Sequence, residues 1–205
     1  MSIPILTLLI FFPVLGGLIL LGSSKEKVKS IKVMALIVSL LEFIFTLPLC
    51  FTFDQTIHHL QFVERHSWIP LFDIDYFLGL DAVSMLFILF STLITILCVL
   101  VSWNSIQTKV KGFFVSLLLF EGAMIGAFCA HDLFILYLFR EATLIFMLLL
   151  ICAWNGPKHI CTGIPGIIGR ASGTMRKVQG CLVSHYLAYM GGGVVFIIIL
   201  MFARF

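Results

Sequence analysis

Charge is what this 205-residue chain has least of: Asp, Glu, Lys and Arg make up 11% of it, while 61% of positions are hydrophobic. An ordinary soluble domain carries about 25% charged residues. Too little polar surface is left to coat a globule in water, so the solvent has to be largely lipid, and no nucleic-acid partner is expected. The six cysteines (Cys50, Cys98, Cys129, Cys152, Cys161 and Cys181) show neither Cys-x-x-Cys nor Cys/His ligand spacing, which excludes a metal site and a disulfide framework. The glycine-rich stretch from Gly156 to Gly180 is not closed by Gly-Lys-Ser/Thr and follows no strand, so it is not a phosphate-binding loop. No coiled coil, internal repeat or soluble domain interrupts the chain. No basic leader precedes the first apolar run, so a cleavable presequence is not expected.

What is present is a series of long apolar runs. A membrane-spanning helix needs about 20 mainly apolar residues. Six segments qualify, at about 3–22, 33–53, 79–103, 112–131, 133–153 and 181–203, giving an all-α membrane protein with one membrane domain over 1–205. Pro4, Pro13 and Pro48 fall in or at the ends of the first two spans, and Gly191–Gly193 in the last would let another helix approach closely. The loops set the orientation. Ten of the thirteen basic residues fall after the first, third and fifth spans: Lys25, Lys27, Lys29, Lys32, Lys109, Lys111, Lys158, Arg170, Arg176 and Lys177. The positive-inside rule therefore places those loops in the cytoplasm or matrix and the N-terminus on the outer side. The outer segment 54–78 offers Trp68-Ile69-Pro70 and Tyr76-Phe77 as interfacial anchors. The basic inner loop 154–180 reads as a surface loop against partner subunits or lipid headgroups.

Two carboxylates sit where lipid should not tolerate them. Glu121 lies near the middle of one span and Glu141 near the middle of the next, and only His131-Asp132 joins the two, so an antiparallel hairpin holds both near mid-depth. An ionisable group at the bilayer centre costs about 2.5–3.5 kcal/mol and normally marks an ion or proton path. The bland alternative is a protonated glutamate hydrogen-bonded to a neighbouring helix. Arg140 precedes Glu141 but points about 100° away around the helix. It either reaches back to neutralise Glu121 or faces a neighbouring subunit or headgroup. His185, near the inner end of the sixth span, is an accessory proton-passing candidate or a backbone-bonded structural histidine. Asp132 and Asp81 are placed to cap the fifth and third helices. Glu42 has no partner that the sequence names, and His58-His59 lacks further ligands.

Two ordered motifs carry a family resemblance. The first is Phe62-Val63-Glu64 with Trp68-Ile69-Pro70, followed by Gly79-Leu80-Asp81-Ala82-Val83-Ser84-Met85-Leu86-Phe87. The second is Asp132-Leu133-Phe134, with Tyr137 and Phe139 ahead of Glu141-Ala142-Thr143-Leu144-Ile145. Together they resemble subunit 4 of proton-pumping NADH:ubiquinone oxidoreductase, respiratory complex I, a family shared with subunits of multisubunit sodium/proton antiporters. The resemblance implies a fourteen-helix fold built on two inverted repeats, of which this chain holds the first six helices. By it, Glu141 matches the family's essential glutamate, whose partner is a lysine on the broken seventh helix, and Glu121 matches an acidic position on the fourth. The chain departs from the pattern at Phe146, Ala82 and Arg140, where the family usually has proline, glycine and an apolar residue.

The expectation is a proton-translocating membrane-arm subunit of complex I, coupled to NADH oxidation by ubiquinone, with Glu141 and Glu121 as its proton-transfer residues. No cofactor is expected on this chain; flavin and iron–sulfur clusters would belong to other subunits, with ubiquinone as the enzyme's substrate. Its partners would be other membrane-arm subunits, lipid, and a separate chain that supplies the remaining helices and the missing lysine. The rivals are a sodium/proton antiporter subunit and a non-conducting scaffold. Phenylalanine, at 21 positions, together with the cysteine usage suggests an organelle-encoded protein of the mitochondrial inner membrane, with a bacterial plasma membrane as the alternative.

Overall fold

The computed structural model describes residues 4–24, 27–54, 59–69 and 74–154. They form α1 (Ile5–Gly22), α2 (Val28–Thr52), β1 (Gln61–Ile69), β2 (Ile74–Leu80), α3 (Ala82–Ser105), α4 (Val110–Cys129) and α5 (Leu133–Trp154). All five helices are long and apolar enough to cross a bilayer, as a multi-pass membrane protein requires. The span expected at 181–203, with His185 and Gly191–Gly193, lies outside the described residues, as does the loop beyond Trp154.

One expectation is corrected. The outer connection is not merely a pair of anchors between helices: β1 and β2 pair antiparallel from Ile69↔Ile74 to Gln61↔Leu80. The hairpin consumes Gly79 and Leu80, so the third helix starts at Ala82 and not at 79. The physical reason for that start is Asp81, whose Oδ1 accepts the Ser84 N–H at 2.8 Å and satisfies one of the free donors of the first turn. Hydrogen bonding from Ser84 holds this carboxylate below its ordinary proton affinity, with His131 adding to the effect. Asp132 caps α5 as expected, accepting from Phe134 N at 2.9 Å and Ile135 N at 3.2 Å. Pro13 and Pro48 are carried inside continuous helices, as neighbouring helices permit.

The helix that organises the bundle is α4. It packs against α1, α2, α3 and α5, and more than half of its spanning length is buried, against very little of α5. Glycines make this closeness possible. A Cβ at Gly122 would lie 2.8 Å from the Ile10 carbonyl oxygen and 2.9 Å from Val14 Cγ2 of α1. One turn on, a Cβ at Gly126 would meet the Phe139 ring of α5 at 2.5 Å. The pair forms a small-xxx-small spacing, each member serving a different neighbour. Because the Ile10 oxygen is backbone and cannot step aside, Gly122→Ala should cost about 1–3 kcal/mol of packing. Gly17→Ala is the control, since its Cβ would find nothing closer than 3.5 Å. Thermal release of the subunit from purified membranes checks the pair: Gly122→Ala should be released at lower temperature and Gly17→Ala should match the parent.

The two ends of the bundle are stitched differently. At one end, lysines of the even-numbered helices hold the last carbonyls of the odd-numbered ones. Lys32 Nζ donates to the Trp103 carbonyl of α3, and Lys111 Nζ donates to the carbonyls of Leu21 and Ser23 at the end of α1. Helix C-termini expose unsatisfied carbonyls and a partial negative charge, which cations satisfy. The hairpin occupies the other end, with Leu78 bridging to Ala130 and the Phe77 carbonyl accepting the His131 N–H.

Candidate functional site

Glu121 and Glu141 emerge at matched depth. Each lies eight residues from the hairpin end of its helix, α4 ending at Cys129 and α5 beginning at Leu133. At 1.5 Å per residue both stand about 12 Å below that end. Glu121 is 0% exposed; the Thr95 hydroxyl lies beside its carboxyl, but neither carboxyl oxygen has a partner at full hydrogen-bond geometry. No hydrogen bond joins Arg140 to Glu121. Arg140 is exposed on α5, while Glu141 is half-buried with its Oε2 buried and unpartnered. Since α5 buries so little of itself, Glu141 stands at the rim of the described bundle, whereas Glu121 stands at its centre.

A third carboxyl, one for which the sequence names no partner, lies in this layer. Glu42 of α2 is also 0% exposed, with both oxygens unpartnered, and α2 packs on α4. The signal that could have found it is helical spacing: Ser39, Glu42 and Thr46 fall at i, i+3 and i+7, one face of α2, and all three are fully buried. Opposite them α3 presents Ser91, Thr92 and Thr95, also buried. These polar groups form a belt between two apolar clusters. One cluster, around Leu9, Leu80, Ile88 and Ile125, lies towards the hairpin; the other, around Leu20, Ile31, Val99 and Phe114, lies towards the lysines.

A second polar site closes the hairpin end. Glu64 of β1 accepts the Leu6 N–H at 2.7 Å, the Thr7 N–H at 3.1 Å and the Thr7 hydroxyl at 2.6 Å. The residue at the N-cap position of α1, Pro4, offers no side-chain acceptor, so Glu64 supplies from another element the anion that a helix N-terminus calls for. A bulge aims it there: the pairing shifts register between Gln61 and Glu64, with Phe62 in the left-handed region at φ 52°. Tyr76 of β2 stands beside it, its hydroxyl 3.2 Å from Thr7 Oγ1. Burial pushes that hydroxyl above the ordinary phenol value and the Glu64 charge adds to it, against the hydrogen bond with Thr7. Trp68 is half-exposed with its ring edge-on to Phe134, 6.1 Å between centroids, a fit for a membrane–water interface. Arg65 pairs with Asp75 at 2.6 Å on the exposed side of the hairpin, where such a pair contributes little. Among the described residues no group of His, Cys, Asp and Glu side chains could hold a metal ion.

No protein-family model matches the chain. Individual relatives do. The chain is 36% identical over 151 residues to NADH-ubiquinone oxidoreductase chain 4 of Arabidopsis thaliana, a match covering 74% of this chain and 30% of that protein. With the protein of the same name from Chondrus crispus it shares 38% identity over 147 residues, covering 72% and 30%. With NADH-quinone oxidoreductase subunit M of Rickettsia conorii it shares 34% over 165 residues, covering 78% and 34%. Among solved structures, a chain of respiratory complex I from Thermus thermophilus with bound NADH superposes with a TM-score of 0.57 at 28% identity, covering 70% of this chain and 28% of that one. The chain thus spans about a third of the length of the relatives it matches.

Proposed function

The chain belongs to the family of NADH:quinone oxidoreductase chain 4, also called subunit M, and from that premise we propose that it works as the N-terminal part of a proton-translocating subunit in the membrane arm of complex I. The observation that carries the reading is the α4–α5 hairpin, which brings Glu121 and Glu141 to one depth near the middle of two spanning helices. Lipid gives a carboxylate no solvation, so two at one level mark a route for protons. Glu141 is the proton-loading residue. A cation drawn close favours its charged form, and withdrawal of that cation favours proton uptake. That cation is the lysine which the family resemblance places on the seventh helix, among helices that pack on the open side of α5. The lysine end of the bundle faces the matrix or cytoplasm, and the hairpin end faces the opposite side. The respiratory names of the relatives favour this reading over a sodium/proton antiporter, and the inner mitochondrial membrane is the compartment we assign. Redox cofactors reside on other subunits, and quinone is reduced elsewhere in the enzyme.

Native-gel electrophoresis of solubilised membranes tests the assignment. The chain should comigrate with NADH dehydrogenase activity in a large complex. Migration alone, or with a sodium/proton exchanger, would overturn it.

A further inference from the structure

We propose that Glu42 and Glu121 form one proton-binding site, a buried carboxyl pair across the α2–α4 interface that is separate from Glu141. The inference deepens the reading of Glu121 above, and rests on it only in placing the pair on a proton route. The two side chains share a level: Glu42 lies ten residues from Lys32 and Glu121 ten residues from Lys111, both lysines being fixed at the same end of the bundle. Ten residues of helix rise about 15 Å, so neither lysine reaches the pair.

The surroundings decide the protonation state. Helix α1 brings no ionisable group, and α3 brings Cys98 alone. Helix α5, packed on the other side of α4, carries Tyr137, Arg140 and Glu141, none of which hydrogen-bonds a Glu121 oxygen. The belt hydroxyls donate mainly to main-chain carbonyls of their own helices: Ser39 to that of Leu36, Thr46 to that of Glu42, Thr92 to those of Ile88 and Leu89, and Thr95 to that of Ser91. Ser91 points to the Met124 sulfur at 4.0 Å. A hydroxyl that has used its donor keeps only lone pairs. The belt can therefore accept hydrogen bonds from a carboxylic acid, and the one hydroxyl beside the Glu121 carboxyl, Thr95, shares its proton with the Ser91 carbonyl. Two carboxylates buried across one helix interface repel each other and lose their hydration, so they cannot both stay ionised. The site fits carboxyl groups that carry protons. Transfer within it breaks one O–H bond and forms another, leaving the charge of the pair unchanged, and the macroscopic titration belongs to the pair.

The test is infrared difference spectroscopy of the assembled complex in its membrane on exchange from H2O to D2O, for the parent, Glu42→Gln, Glu121→Gln and Glu141→Gln. The parent should show deuterium-sensitive carboxylic-acid bands. Glu42→Gln should remove one component and displace the other; Glu121→Gln should do the reciprocal; Glu141→Gln should leave both in place. Glu42→Asp, which keeps the acid, guards against a variant that fails to assemble, and should retain a displaced band. Two components lost one at a time without mutual displacement would mean independent side chains and overturn the pair. Carboxylate bands that respond to sodium and not to deuterium would mean a cation site and overturn it equally. None of these readings needs pumping, so failure of the pair is distinguishable from failure of the proposed function.

Discussion

Replacing Glu141 by glutamine should lower proton translocation by about a hundredfold or more while the complex still assembles, the scale on which a positioned proton-transfer group contributes. Glutamine keeps the length and shape of the side chain and removes its ability to ionise, so packing along α5 is undisturbed. The rim position of Glu141 makes the prediction sharp, because little of α5 is buried within the described bundle and few contacts are at stake. Translocation is read as acidification per NADH oxidised in sealed vesicles, and assembly as band intensity on native gels. The same change at Glu121 should do less. The reason is that a second buried acid, Glu42, remains on the helix packed against α4. Undiminished pumping in Glu141→Gln would leave a scaffold role.

Replacing Glu64 by alanine should strike assembly and not proton transfer. Three donors at the start of α1 converge on this carboxylate, and α1 in turn lies against α4 at Gly122. Hydrogen bonds to a charged group contribute about 1.5–3 kcal/mol each in favourable settings. Removing all three leaves two backbone N–H groups without an acceptor near the apolar region, where water compensates poorly. The subunit should accumulate to a fraction of the parental level, and Glu64→Gln, which still accepts hydrogen bonds, should restore much of it. Immunoblots of washed membranes from the three strains give the comparison. Equal accumulation of Glu64→Ala and the parent would show that the cap is dispensable.

Long apolar runs made the helices legible, because a span has to be apolar along most of its length whatever its neighbours are. All five described helices fall within a few residues of their expected positions, apart from α2, which begins at Val28 and not 33. That error came from treating Lys29 and Lys32 as loop residues. Lysine at a helix start is stable when its ammonium group binds the carbonyl end of an adjacent helix, as Lys32 does at Trp103, and no local pattern announces that partner. The hairpin was hidden for a related reason: Val63 and Trp68 project from it half-exposed while Glu64 turns inward, so the alternation of a one-sided strand is broken by the bulge. Glu121 and Glu141 were legible because only three residues separate their helices. Glu42 was not, since its partner is 79 positions away in the chain and only the packing of α2 on α4 brings them together.

The central claim is that Glu141 belongs to a proton route completed by the rest of the subunit, and a structure of the assembled complex in lipid tests it most directly. The account predicts a lysine ammonium group or a chain of ordered water against the Glu141 carboxyl, approaching from the side of α5 that faces away from α4. Glu141 found facing only lipid tails or apolar side chains would contradict it.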